Sequence, residues 1–243
     1  MNNIFIRDIN NIPLFFKDGT TFSSLPSNQS YRPIVTTTLA IDYWLGKGLE
    51  PFYFHLSTFV FFLAQGLLMF FLFFKFFSFS STDKNIFYVA IFAIAWYLLH
   101  PANAETINYV IARGDSLSTF FIVLAFVLYM YSNRSRKYHL YLIPVAIGIL
   151  AKVPAVMFGP ILFVYVLLFE KHIQLTEIFK RKHFPDIINC VKQVFPSLIF
   201  CAIGFFFLQK MDPETWVGAV ISRYQYLITQ PYVILHYFTN FFL

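Results

Sequence analysis

Apolar residues along this chain neither alternate with polar ones nor return at every third or fourth position. They run on almost unbroken, as in Phe70-Phe-Leu-Phe-Phe-Lys-Phe-Phe77. Seven stretches carry the pattern: Phe52 to Phe77, Ile86 to Leu99, Leu117 to Tyr131, Tyr141 to Ala151, Val156 to Phe169, Phe195 to Leu208, and Tyr224 to Leu243. A helix that is apolar all round belongs in lipid or a large core, and a hydrocarbon layer about 30 Å thick takes about 20 helical residues per crossing. Strands of a membrane barrel would alternate over ~10 positions, and these runs do not. The pattern predicts an all-α polytopic bundle of six or seven spans. The shorter windows must borrow flanking residues, tilt or stop inside the protein.

Composition supports the same solvent. With 58% hydrophobic residues, 34 Phe and 12% charged residues, the chain has too little polar surface to coat one soluble core.

Charge gives an orientation. If the windows alternate in direction, one side holds Lys75, Lys84, Arg134, Arg136, Lys137, Lys171, Lys180, Arg181, Lys182 and Lys192 against Asp83, Glu170, Glu177 and Asp186. The whole net charge of +6 then sits there, which marks that side as cytoplasmic. The run Lys180-Arg-Lys-His183 reads as a membrane anchor rather than a nucleic-acid site. The opposite, luminal or outer side receives residues 1–51, the loop from His100 to Asp115, the turn Ala151 to Pro154, and Lys210 to Arg223.

Residues 1–51, with Pro13, Pro26, Pro33 and Pro51, read as a first extramembrane loop, and residues 52–243 as the helical membrane domain. The stretch from Asn2 to Phe16 is expected to lie in the interface with Arg7 and Asp8 exposed. A short helix over Thr36 to Leu45 would carry Asp42 on one face. No signal peptide precedes the loop, so the economical expectation is a first span lost upstream.

The polar island His100-Pro-Ala-Asn-Ala-Glu-Thr-Ile-Asn-Tyr-Val-Ile-Ala-Arg-Gly-Asp115 lies between two of the most apolar stretches. Ionisable residues beside spans cost enough to suggest a site rather than a decorated turn. Cys190 and Cys201 suggest neither a disulfide nor a metal site. The six His show no metal-binding spacing, and no phosphate-binding glycine loop occurs. Asn28-Gln-Ser30 is an N-glycosylation acceptor pattern on the luminal side, whereas Asn133-Arg-Ser135 falls on the cytoplasmic one.

The motifs Tyr31-Arg-Pro-Ile-Val-Thr-Thr-Thr-Leu-Ala-Ile-Asp-Tyr43, Leu49-Glu-Pro-Phe-Tyr-Phe-His55, His100-Pro-Ala-Asn-Ala-Glu105 with Tyr109, Ala112-Arg-Gly-Asp115, Leu150-Ala-Lys152 and Ser222-Arg-Tyr-Gln-Tyr-Leu-Ile-Thr229 occur in a telling order. In that order the chain resembles the membrane region of the transmembrane and tetratricopeptide-repeat O-mannosyltransferase family, within the GT-C glycosyltransferases. The resemblance implies a GT-C-like bundle that transfers a sugar, mannose in eukaryotic members, from a polyprenyl or dolichyl phosphate to a protein hydroxyl. Membrane lipid, the donor and an acceptor protein are the implied partners, and nucleic acid is not. The implied place is the endoplasmic reticulum membrane in a eukaryote and the plasma membrane in a bacterium. By the resemblance, an acidic pair stands immediately before Asn2-Asn3. It is missing here, as are the downstream repeats, so the chain by itself is expected to be inactive.

Sugar transfer needs a carboxylate for the acceptor proton and cations for the departing phosphate. Glu105 and His100 are the expected catalytic candidates, and either could instead cap a local helix. Arg113 and Lys152 are the expected donor-phosphate ligands; the alternatives are an ion pair of Arg113 with Asp115 or Glu105, and snorkelling of Lys152. Asp115, Arg32, Tyr31 and Tyr109 are expected in support, with Tyr43, Asp42 and Asp8 weaker; an aromatic belt would explain most of the tyrosines. No ligand cluster argues for a metal or cofactor, and a divalent cation is left open. A transporter lined by the polar island and a non-catalytic scaffold are the competing readings.

Overall fold

The structure, a computed structural model, describes residues 3–80, 83, 85–178, 180–214 and 222–242. Asn2 and Lys84, and residues 215–221 of the expected Lys210 to Arg223 loop, lie outside the described residues.

Eleven α-helices follow one another, and no strand occurs among the described residues. They are α1 (Ile12–Phe15), α2 (Pro33–Leu45), α3 (Pro51–Ser80), α4 (Ile86–Leu99), α5 (Asn103–Asn108), α6 (Arg113–Tyr131), α7 (Asn133–Lys137), α8 (Leu142–Ala151), α9 (Phe158–Tyr165), α10 (Phe184–Met211) and α11 (Arg223–Phe242). Proline opens α2 and α3, where its fixed φ suits a first turn and its missing N–H costs nothing. α4 stops at Leu99 because Pro101 pushes His100 into an extended conformation.

Four helical stretches are long and apolar enough to cross a membrane: Pro51–Phe79, Val110–Tyr131, Val153–Glu170 and Phe184–Met211. The third joins a 3₁₀ turn, α9 and a π turn. These helices make the chain an integral membrane protein with an all-α bundle, as the apolar windows required. α4 and α8 are shorter, with 14 and 10 residues. At 1.5 Å per residue α8 spans only about 15 Å, half the hydrocarbon layer, so it needs its flanks and neighbours to reach across.

Two windows need correction. α10 begins at Phe184 rather than Phe195, carrying Asp186 and Lys192 into a helix that continues through Pro196. α11 does cover Tyr224 to Phe242, but Gln225, Thr229, Gln230 and His236 keep it out of the four long apolar helices.

α6 is the central post, packed against both α3 and α8. Toward its C-terminal end, Phe126, Tyr129, Tyr141, Phe158 and Tyr165 form the larger buried cluster. Just beyond, Arg136 pairs with Glu170 at 2.8 Å and lies 4.2 Å over the Tyr129 ring, while Gln193 donates to Glu170 and to the Tyr129 hydroxyl at 2.8 Å each. α7, α10 and the turn after α9 thus meet at the basic end of the bundle.

The smaller cluster sits at the opposite end. Ile6 and Phe15 of the first loop pack with Val35, Leu39 and Ala40 of α2, Phe54 of α3, Leu117 of α6 and Ala151 of α8. The first loop is therefore a folded cap packed on the helices, with Arg7 and Asp8 exposed as expected. Its turns are held from within: Asn3 donates to the Thr21 and Phe22 carbonyls at 2.9 Å each, and Asp8 accepts from the Asn10 amides.

Candidate active site at the capped end of the bundle

The first loop does not seal the bundle. Between it, the start of α2, Ile111, Val153 and the end of α10 lies a cavity of about 900 Å³, within the size of small-molecule sites. Its wall combines Asn3, Ser23, Ser27, Asn28, Ser30 and Gln209 with the charged Arg32 and Asp212 and with apolar Ile6, Phe22, Val35 and Leu39. Hydroxyls and amides beside an aromatic face suit a polar, ring-shaped ligand, and the guanidinium suits an anionic one.

Two contacts close the far wall. The Tyr31 amide donates to Asp212 Oδ1 at 2.8 Å, and the Ser30 hydroxyl to the same oxygen at 3.5 Å. Tyr31 is itself buried, its hydroxyl donating to the Phe16 carbonyl at 2.9 Å; burial pushes that phenol above its ordinary range.

Arg32 is the cation of this cavity. Its guanidinium lies 5.0 Å over the Phe22 ring, and among the described residues none of its N–H groups has a hydrogen-bond partner. Burial pulls its pKa below the ordinary value, against the opposing fields of Asp115 and Asp212. A half-buried guanidinium with unspent donors is a ready anion ligand.

Arg113 is placed quite differently from the expectation of a cation open to a lipid phosphate. It is fully buried, with Nη1 paired to Asp42 Oδ2 and also directed at Thr38 Oγ1 at 3.4 Å. Nε donates to Thr58 Oγ1 at 3.1 Å and Nη2 to the Phe54 carbonyl at 2.5 Å. The guanidinium is thereby spent on clamping α2 and α3 to α6. Asp42 is buried with it and also accepts from Ser57 at 2.8 Å. Asp115, two residues on, faces another way because i and i+2 do not share a helix face. It pairs with Lys152 Nζ at 2.5 Å, with Lys152 26% and Asp115 48% exposed.

Glu105 and His100 do not line the cavity. Glu105 is exposed in the first turn of α5, and among the described residues its carboxylate has no hydrogen-bond or ion-pair partner. The His100 Nδ1 accepts from the Ala102 amide at 3.2 Å, a bond within the turn that ends α4; α5 itself has no side-chain cap among the described residues. Tyr109 is 63% exposed. Of the expected site residues the structure thus brings Arg32 into the cavity wall and holds the Tyr31 backbone against Asp212 of that wall, and it leaves Asp115, Lys152, Glu105, His100 and Tyr109 outside the lining. Asp212 and Gln209 were not anticipated; their proximity to residues about 180 positions earlier leaves no local signal.

No family model matches the chain, and no solved structure does. Curated proteins do. Protein O-mannosyl-transferase TMTC4 of Homo sapiens is 28% identical over 125 residues, 49% of this chain and 17% of that protein. Protein O-mannosyl-transferase tmtc2 of Xenopus laevis is 29% identical over 133 residues, 52% of this chain and 14% of that protein. Protein O-mannosyl-transferase TMTC3 of Homo sapiens is 28% identical over 115 residues, 47% of this chain and 12% of that protein. The matched stretches span less than a fifth of these relatives. They bear out the resemblance read from the motifs, as a distant similarity to proteins named O-mannosyl-transferases over about half of the chain.

Proposed function

We propose that this chain forms part of a membrane glycosyltransferase that moves a sugar, mannose by the names of its relatives, from a polyprenyl or dolichyl phosphate to a protein hydroxyl. Transfer takes place in the cavity beneath the first loop, on the luminal or outer side by the distribution of basic residues. The observation that carries the reading is the cavity itself. It opens at the end opposite the basic network, holds an uncommitted arginine, and has Asn3 in its wall. In the resembled family an acidic pair stands immediately before the position of Asn2-Asn3, and Asn3 is part of this wall.

The chemistry follows from those positions. The acceptor oxygen attacks the anomeric carbon as the bond from that carbon to the phosphate oxygen breaks. The hydroxyl proton goes to a carboxylate, and the charge left on the lipid phosphate meets Arg32, with Lys152, paired to Asp115, as a second cation at the same end of the bundle. Phe22 and the serines offer the sugar a face and hydrogen-bond partners. Arg113 serves by holding α2, which carries Arg32 at its N-terminal edge.

The test is transfer of radiolabelled mannose from dolichyl phosphate mannose by the protein expressed from its full reading frame. Arg32→Ala should cut transfer by about 10²-fold, the scale of losing one charge-stabilising donor, and Glu105→Gln should leave it near wild type. Loss with Glu105→Gln and not with Arg32→Ala would move the site to the His100 loop. No transfer from any polyprenyl-phosphate sugar by the folded protein would favour a non-catalytic scaffold.

A further inference from the structure

We infer that Asn28 carries an N-linked glycan at the rim of the cavity, an inference that rests on the luminal placement of the first loop. Two acceptor triplets occur in the chain, Asn28-Gln-Ser30 and Asn133-Arg-Ser135, and the structure treats them oppositely. Asn28 is exposed in a single 3₁₀ turn opened by Pro26, within a stretch from Ser24 to Asn28 that is exposed throughout. Its backbone amide is used, donating to Leu25 O at 3.0 Å, but among the described residues its side-chain amide has no hydrogen-bond partner. The nitrogen that would bear the sugar is therefore unspent, on an exposed residue.

The second triplet is built into the fold. Ser135 is 3% exposed inside α7, with its amide donating to the Ser132 hydroxyl at 3.1 Å. α7 lies at the basic end with Arg136 and Glu170, the end assigned to the cytoplasm. An attached glycan is bulky and needs a surface loop in the lumen, which Asn28 satisfies and Asn133 does not.

The position has a consequence for the cavity. Ser27, Asn28 and Ser30 are part of its wall, and Ser24 to Asn28 are exposed, so a glycan on Asn28 would stand at the solvent edge of that wall. Among the described residues the Ser30 hydroxyl is held only by a 3.5 Å contact to Asp212.

The experiment is expression from the full reading frame in a eukaryotic cell, followed by peptide N-glycosidase treatment and gel mobility. A discrete downward shift is expected in wild type and in Ser30→Thr, and none in Asn28→Gln or Ser30→Ala. Asn133→Gln should keep the shift. Ser27→Cys in the Asn28→Gln background, labelled with a membrane-impermeant maleimide in sealed and opened microsomes, reports the side of the membrane separately; Cys190 and Cys201 are buried and add little background. Labelling only after opening, with no glycan in wild type, overturns the Asn28 site and leaves the orientation standing. Labelling of sealed vesicles, or a glycan that vanishes with Asn133→Gln, overturns both.

Discussion

The guanidinium of Arg113 is fully buried against the carboxylate of Asp42, 71 positions earlier in the chain. A buried pair of this kind is weak evidence of net stabilisation, but removing one partner strands the other charge and costs about 3–5 kcal/mol. Arg113→Ala and Asp42→Ala should each lower the thermal midpoint in detergent steeply. Arg113→Lys should not rescue it, because one ammonium cannot reach Asp42, Thr58 and the Phe54 carbonyl in the fork that the guanidinium spans. A lysine variant melting like wild type would show that charge alone suffices and that the clamp is not geometric.

Gly19 holds the first loop against the end of α10. A Cβ at that position would lie 2.8 Å from the Met211 carbonyl oxygen and 2.9 Å from Pro213 Cδ, and neither group can swing aside. Gly19→Ala should therefore cost about 1–3 kcal/mol, the usual scale of overpacking. It should also loosen the wall fastened by Tyr31 and Asp212. Unchanged melting together with unchanged protease resistance of residues 16–30 would mean that the loop does not dock there.

Lys152 separates a structural from a functional role. Its pair with Asp115 is part-exposed, so Lys152→Ala should cost under about 1 kcal/mol. Transfer should nevertheless fall by more than that, through a higher apparent KM for the lipid donor, if the ammonium meets the phosphate as a point charge. Equal and small effects on melting and on transfer would reduce Lys152 to a snorkelling residue.

The spans were legible in the chain because continuous apolar runs admit few other environments, and the two ends were legible because basic residues crowd one set of loops. Pairing was not. The local neighbours Asp115 and Glu105 were the natural partners to expect for Arg113, yet the first turn of α6 directs Asp115 toward Lys152 and Arg113 toward α2. Asp42 was visible only as a charge on one face of a short helix, and nothing in a single sequence says which charge closes it. The same limit hid Asp212, whose bond to Tyr31 crosses 181 positions. The polar island drew notice for its ionisable residues, but half of them serve the fold: Arg113 as a clamp and His100 in the turn that ends α4.

At the basic end Glu177 gathers Lys180 at 2.6 Å, Lys182 at 3.7 Å and His183 at 3.4 Å. The Lys180 hydrogen bond and charge, then the Lys182 charge, hold its carboxyl below the ordinary value of 4.5. A carboxylate whose pKa is depressed by folding contributes stability that is complete above its unfolded value. That contribution is lost as pH falls through the folded one. The cluster should thus persist at pH 6 and open only in acid below the ordinary carboxylate range, and added salt should weaken it because the charges are exposed. Side-chain carboxyl NMR of the detergent-solubilised protein should place the Glu177 midpoint below 4.5. Lys180→Ala should move that midpoint back up. A midpoint unmoved by Lys180→Ala would assign the depression to the wider basic face rather than to this contact, and the segment would then open by the same course with or without the pair.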